Sequence, residues 1–319
     1  MRALVKTKPG RGLELLEVPD PEPGPGEVLL RVGAAGVCGS DVARYVWTRN
    51  YEAGGAKAMA AHLPRIIGHE FAGTIEALGR DADGVAVGDR VVVQNILGCQ
   101  RCEECARGMP NLCVERQTLG VHRDGGYAEL VVAPARNCTP MPGSMSMHLG
   151  AALQPFAVGT HAVAQAGLRP GDRIAVWGLG PIGLAVVHAA RLCGAETVLG
   201  LDRNPVRLAE AEALGIPTMD TTGLDDASSL GAAVVERLGR RSLDAVFEAA
   251  GVADVIAAVQ PVLRKRRPIV LIGNLRDFFH GDLMPHIMDE QRIVGSRTYS
   301  MASSRSIPNA ISGLSISAA

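Results

Sequence analysis

Arg173-Ile-Ala-Val-Trp-Gly-Leu-Gly-Pro-Ile-Gly183 is the stretch that decides the fold. An apolar strand, Arg173 to Trp177, runs straight into Gly178-x-Gly180-x-x-Gly183, and a helix opens near Pro181. Glycine is common in this chain, with 38 residues, so the spacing alone is weak evidence. The strand before it and the helix after it add weight, because each glycine then has a mechanical task. Gly178 permits the tight turn, Gly180 lets the backbone approach a pyrophosphate, and Gly183 lets helix and strand pack closely. The helix N-terminus adds unpaired N–H groups and partial positive charge for the phosphates.

Asp202, 19 residues past Gly183 at the end of the next strand, supports a dinucleotide site. A carboxylate there accepts from both ribose hydroxyls and repels a 2'-phosphate, which favours NAD over NADP. Arg203 and Arg207 point the other way, because a guanidinium pairs with a 2'-phosphate. Arg207 has two further readings, stacking near the adenine or lying solvated on its helix.

The pattern continues on both sides of this site. Strand-like and helical runs alternate from about residue 150: Arg173 to Trp177, Pro181 to Cys193, Thr197 to Leu201, then Pro205 to Leu214. Asn204-Pro205 is a helix start and Gly215 a stop. Ala245 to Phe247 and Pro268 to Ile272 add strands, so a parallel sheet with helices on both faces is expected. Before residue 150 the chain reads instead as short strands between turns. Glu27 to Val32 follows the breaker run Pro21 to Gly26, and Val85 to Val93 and Ala128 to Val132 read similarly. Gly88-Asp89 marks a turn, and the spacing of turn residues suits a small β-barrel or sandwich.

Composition narrows the function classes. The chain has 319 residues, enough for two domains, and is 47% apolar with a net charge of -1. That balance gives no sign of a nucleic-acid or membrane partner. Met1 to Pro9 lacks the apolar run of a signal peptide, and no apolar stretch reaches the ~20 residues that span a bilayer. Seven cysteines, an odd number, suit a reducing compartment, so a cytoplasmic protein is expected.

Four of those cysteines are spaced Cys99-x2-Cys102-x2-Cys105-x7-Cys113, with Gln100, Arg101, Glu103 and Glu104 between them. Thiolates this close can close a tetrahedral shell around zinc. A redox cluster or chance clustering explains the polar, tightly spaced segment less well. Cys38-Gly-Ser40-Asp41 and Gly68-His69-Glu70 supply thiolate, imidazole and carboxylate for a second, open zinc site. Each alone is weak, since a single cysteine is usually a small buried hydrophobe and a lone histidine is more often not a ligand.

Taken together these segments resemble the zinc-dependent medium-chain alcohol dehydrogenases, which include threonine 3-dehydrogenases and sorbitol or butanediol dehydrogenases. The resemblance runs from residue 1 to about 300. It rests on Cys38-Gly-Ser-Asp, Gly68-His-Glu-Phe-Ala-Gly73, the four-cysteine lobe, His122-Arg-Asp-Gly125, Gln154-Pro-Phe-Ala-Val-Gly159 and the glycine fingerprint. It implies an α/β fold in two parts. Residues 1–150 would form a GroES-like β-rich catalytic domain with a zinc lobe at about 95–115. Residues 151–298 would form a Rossmann NAD-binding domain with a doubly wound parallel sheet. The active site would lie between them, in a homodimer or homotetramer.

Carried over by residue, the resemblance implies that Cys38, His69 and Glu70 hold a catalytic zinc. Cys99, Cys102, Cys105 and Cys113 would hold a structural one, giving two zinc ions per chain. Asp41 would orient His69, and Ser40 would pass on the proton of a small-molecule alcohol. Gly178, Gly180, Ile182, Gly183, Asp202, Arg207, Ile272, Gly273 and Asn274 would contact NAD. The implied reaction moves a hydride to NAD from a secondary alcohol, such as a polyol, a sugar or an amino alcohol like threonine. The segments Ala60 to Gly68 and His122 to Gly125 lean toward the threonine and polyol branch.

Three departures accompany this. Ala43 stands where the family commonly has a relay histidine, leaving water, Arg44 and Tyr45 as candidates for proton handling. Gln154 stands where relatives usually carry a carboxylate beside the zinc or its water, and an amide has no useful acid–base pKa. The tail 299–319 is Ser-, Ala- and Ile-rich and reads as shortened. The competing expectation is therefore a zinc- and dinucleotide-binding protein with little or no turnover. An NADP-dependent sugar dehydrogenase or reductase is a third.

Overall fold

The inner strands of the second half are apolar on both faces because each face meets a separate core. In the strand Arg173–Trp177, Ile174 and Val176 pack with Leu179, Val186 and Phe247, while Ala175 and Trp177 pack with Leu199, Leu201 and Val246. Such continuous apolar runs are the signature of a buried parallel sheet. The computed structural model describes residues 1–47, 62–275 and 282–300. The chain divides into two units, Met1–Gln154 and Pro155–Ala319.

In the first unit β1 (Arg2–Lys6) lies between β2 (Glu14–Glu17) and β4 (Arg65–Ile66), all antiparallel. A five-stranded antiparallel sheet is built from β3 (Glu27–Ala35), β5 (Phe71–Leu78), β6 (Arg90–Val93), β9 (Leu130–Pro134) and β10 (Cys138–Pro140). Its order is β10-β6-β5-β3-β9. Val28, Leu30, Val91, Val93, Val131 and Ala133 alternate along these strands into one core, the period-2 pattern of a half-buried sheet. Helix α1 (Gly39–Val46) follows β3, and β7 (Ile96–Leu97) pairs with β8 (Gln117–Thr118). Between the last two lies the short helix α2 (Glu103–Ala106).

Helix α3 (Met147–Ala166) contains Pro155. The second unit then runs β11 (Arg173–Trp177), α4 (Pro181–Leu192), β12 (Glu196–Asp202), α5 (Pro205–Ala213), β13 (Thr218–Asp220) and α6 (Ala227–Leu238). It continues with β14 (Ala245–Glu248), α7 (Val255–Val259), β15 (Pro268–Leu271), α8 (Met284–Met288) and β16 (Arg292–Gly295). The strands are all parallel, in the order β13-β12-β11-β14-β15-β16. Numbered within the sheet this is 3-2-1-4-5-6, the dinucleotide-binding arrangement, with its switch point between β11 and β14.

The expected elements of this unit match to within about a residue at each end, whereas three strands of the first unit need correction, the one expected over Glu27 to Val32 running on to Ala35. Val85 to Asp89 is not strand: Gly88 takes φ +92° and Ala86 N–H donates to Asp89 Oδ2 (2.8 Å), so the strand begins at Arg90. The expected strand from Ala128 begins at Leu130, with Ala128 making only an isolated bridge to Ala3. Residues 60 and 61 and most of the tail, from 301 onward, lie outside the described residues.

Candidate active site

Two turns at the same end of the first unit's sheet bring the three expected zinc ligands together. Cys38 occupies the N-cap position of α1 in extended conformation, and its N–H donates to Asp41 Oδ2 (3.1 Å). His69 and Glu70 enter β5 through Gly68, whose φ of +94° favours glycine and whose Cβ would collide with the Tyr127 ring. The result places one donor atom each from Cys38, His69 and Glu70 within 4.8 Å of one another. His69 Nε2 lies 3.9 Å from Glu70 Oε1.

Asp41 stands behind His69, with Oδ1 3.3 Å from Nδ1, close but not aligned as a formed hydrogen bond. Its carboxylate also accepts from Tyr127 Oη (3.1 Å) and Arg44 Nη1 (3.0 Å). Burial alone would raise the Asp41 pKa; His69, Arg44 and the Cys38 N–H overcome it and hold Asp41 below the usual carboxylate range. Burial likewise disfavours charge on His69, yet Asp41 and Cys38 drive its pKa up to about 10. The pocket therefore stabilises positive charge where these donors meet, and the donor set of thiolate, imidazole and carboxylate fits zinc with a position left open. Burial pushes Glu70 up, with His69 opposing.

The four cysteines of the lobe also converge, their sulfurs within 4.8 Å of one another. Cys99 N–H donates to Cys113 Sγ (3.3 Å), and Cys102 precedes α2. The backbone N–H of Arg101 leads the groups that bring Cys99 down to about 7, while burial pushes Cys105 up to about 12. Four thiolates in so small a space repel each other unless a cation sits among them, so this set too fits zinc.

In the second unit Gly178 takes φ +88°, and a side chain there would press on Ala250 N at 2.8 Å. Any Cβ on Gly183 would collide with the Gly178 carbonyl, as close helix–strand packing requires. The space beside Gly180 is open to the Arg207 guanidinium, 3.6 Å from where a Cβ would be. Arg207 Nη1 also lies 3.5 Å from Asp202 Oδ2, which sets it at the mouth of the loop. Arg203 turns instead to Asp225 (3.0 Å) and the Leu224 carbonyl (3.1 Å). Asp202 accepts from the N–H groups of Leu179 (2.8 Å), Arg203 (2.8 Å) and Asn204 (2.9 Å), which fixes the carboxylate at the strand end. Ile182 is half-buried at the start of α4, and Ile272 and Gly273 both donate to the Glu248 carbonyl. Asn274 lies against Gly251.

Two family models match the chain: the alcohol dehydrogenase GroES-like domain over residues 24–143 and the zinc-binding dehydrogenase model over 181–315. An L-threonine 3-dehydrogenase of Streptomyces avermitilis is 37% identical over 72% of this chain and 67% of its own. A sorbitol dehydrogenase of Bacillus subtilis is 34% identical over 82% and 72%. Among solved structures, an alcohol dehydrogenase from E. coli CFT073 in complex with NADH superposes at TM-score 0.84, with 28% identity, covering 98% of this chain and 87% of that one. A protein assigned as a zinc-binding dehydrogenase from Sinorhizobium meliloti 1021, bound to NADP, gives 0.84 at 28% identity over 98% and 88%. The chain belongs to the zinc-dependent alcohol dehydrogenase family.

As a member of that family the dehydrogenase combines a GroES-like unit with a Rossmann unit. No helix among its described residues is long and apolar enough to cross a membrane. Its departures from the family pattern now have surroundings. Ala43 is buried in α1, and Tyr45 is 40% exposed, beneath the Arg11 guanidinium. Gln154 is buried in α3. Arg44, a candidate for proton handling, turns inward to Asp41. Two residues escaped the sequence reading altogether: Tyr127 and Glu248. Glu248 is fully buried at the end of β14 and accepts from Ala250 (2.8 Å), Gly251 (2.6 Å) and Val252 (3.1 Å), shaping the loop against Gly178. A carboxylate ending an apolar strand, as Asp202 does, was the signal for it.

Proposed function

We propose that this dehydrogenase oxidises a secondary alcohol of the polyol, sugar or amino-alcohol class with NAD, at a zinc held by Cys38, His69 and Glu70. The convergence of those three donors with Asp41 behind His69 carries the reading. A zinc ion bound there supplies Lewis-acid polarisation of the substrate oxygen, and NAD supplies the hydride acceptor. The chain's own task is to align the reacting carbon, exclude water and move a proton away from the substrate oxygen through the Ser40 hydroxyl. Names of relatives that act on threonine and sorbitol support the substrate class. Residues 1–150 serve as the catalytic domain and 151–298 as the coenzyme domain, in a cytoplasmic homodimer or homotetramer whose mass light scattering reads.

The test is metal analysis of purified protein followed by an NAD-coupled panel of secondary alcohols. Two zinc ions per chain and turnover of at least one vicinal diol, sugar alcohol or hydroxy amino acid are expected. Cys99→Ser should leave one zinc. Two ions with no NAD-linked turnover of any of these alcohols would overturn the reading.

Coenzyme choice rests on Asp202. Asp202→Asn removes the charge while keeping an acceptor for the loop, and leaves Arg207 beside it to meet a 2'-phosphate. The ratio of kcat/KM for NADP over NAD should rise about tenfold or more, as expected for a hydrogen bond to a charged group. An unchanged ratio would remove Asp202 from coenzyme selection.

A further inference from the structure

Helical spacing places Ser40, Asp41 and Arg44 on one face of α1, because residues three and four apart are neighbours. Arg44 is an unusual occupant of that face. Its side chain is 8% exposed, and one nitrogen, Nη1, donates both to Asp41 Oδ1 (3.0 Å) and to Ser40 Oγ (3.3 Å). Among the described residues its buried Nε has no hydrogen-bond partner. An apolar side chain would fill the same volume without stranding a donor, so the gain must lie in the two contacts that Nη1 makes.

We infer that Arg44 is a positioning residue that fixes the Ser40 hydroxyl against the Asp41–His69 pair. This rests on the proposed zinc-site chemistry and deepens it. A guanidinium offers donors and no acceptor, so Arg44 cannot replace a relay histidine at position 43. It can orient the first member of the relay. A hydroxyl has one hydrogen and two lone pairs. By accepting from Nη1, the Ser40 oxygen is held in one orientation. The same nitrogen grips Asp41, whose other oxygen accepts from Cys38 N–H and Tyr127 Oη. Ser40 is thereby held in one rigid group with the carboxylate behind His69.

A double-mutant cycle on the zinc-loaded full-length enzyme tests this, using Ser40→Ala, Arg44→Met and the pair, with kcat, KM, zinc content and the NADH dissociation constant measured for each. Ser40→Ala should lower kcat on the order of a hundredfold, the low end for a lost proton-transfer group. Arg44→Met should lower kcat about tenfold, as for the lost hydrogen bond to Ser40, while the Cys38 N–H and Tyr127 Oη keep Asp41 in place, so that KM, zinc content and NADH affinity hold. In the Ser40→Ala background Arg44→Met should cost nothing further. Arg44→Lys, which keeps charge and a donor, should recover part of the rate and carries the test if the methionine variant fails to fold. A tenfold loss that persists without Ser40, or a loss of zinc or NADH binding in both Arg44 variants, overturns the inference while leaving the proposed function standing. No turnover of any alcohol by the zinc-loaded wild type instead removes the function on which it rests.

Discussion

Cys38→Ala is expected to lower kcat/KM by on the order of a thousandfold, the largest effect of any single substitution on activity. The estimate follows from Lewis-acid polarisation being worth several kcal/mol of transition-state charge stabilisation, at about 1.4 kcal/mol per tenfold. Removing the thiolate leaves His69 and Glu70 to hold the ion with one protein donor fewer, and removes the only soft ligand of the set. Metal analysis should show one zinc fewer per chain, with the lobe still loaded. NADH affinity should hold, because the glycine loop, Asp202 and the Glu248-braced loop belong to the other unit. The conformational cost stays small, because the N–H of residue 38 still donates to Asp41 and holds the start of α1. A variant that loses its zinc and keeps its rate would remove metal chemistry from this active site.

The second unit was legible because its strands and helices are each a single uninterrupted run. Arg173 to Trp177 is apolar on both faces, Asn204 caps α5 by accepting from Val206 N–H (2.9 Å), and Gly178 ends its strand with a positive φ. Each of these is a local signal with a local cause. Strands of the first unit are half-exposed and antiparallel, so their ends are set by pairing rather than by composition. Ala128 to Val132 reads as strand, but its ends fall at Leu130 and Pro134 because Glu27 to Arg31 pairs there, which nothing in the segment itself encodes. The zinc lobe was plain from spacing, since its ligands lie close along the chain. The catalytic set was not: Cys38 is far from His69 and Glu70 in sequence, and only the family resemblance joined them. Arg44 and Tyr127 acquire meaning through Asp41, which both touch, and a contact made across elements leaves no periodic trace.

Asp244→Ala is the substitution with the largest expected effect on stability. Asp244 precedes β14, and its side chain is 2% exposed. It accepts from Arg264 Nη1 at 2.8 and 2.7 Å, pairs with Arg267 Nη2 at 2.9 Å, and accepts the Arg173 N–H at 3.0 Å. Arg267 also reaches Asp172 at 3.0 Å. One carboxylate thus ties together the starts of β11, β14 and β15 on the side of the sheet away from the coenzyme loops. Alanine would strand the Arg173 N–H, take from Arg264 its buried carboxylate and leave Arg267 with Asp172 alone. Breaking a fully buried pair costs about 3–5 kcal/mol, but Arg264 and Arg267 are 46% and 31% exposed and regain water, so about 3 kcal/mol is expected. The thermal midpoint of the Rossmann unit should fall by roughly 6–12 °C. The sign of the pH dependence follows from the same contacts. Burial by itself would raise the Asp244 pKa, but the Arg173 N–H and the two arginines hold it below the usual carboxylate value. The stabilisation is therefore complete above the unfolded-state value of about 3.9 and disappears as pH falls through the lower folded-state value. Chemical denaturation of wild type and Asp244→Ala should show a constant gap between about pH 5 and 8 that closes in stronger acid. A gap that persists unchanged in acid would mean that packing, not the charge of Asp244, holds these strand ends together.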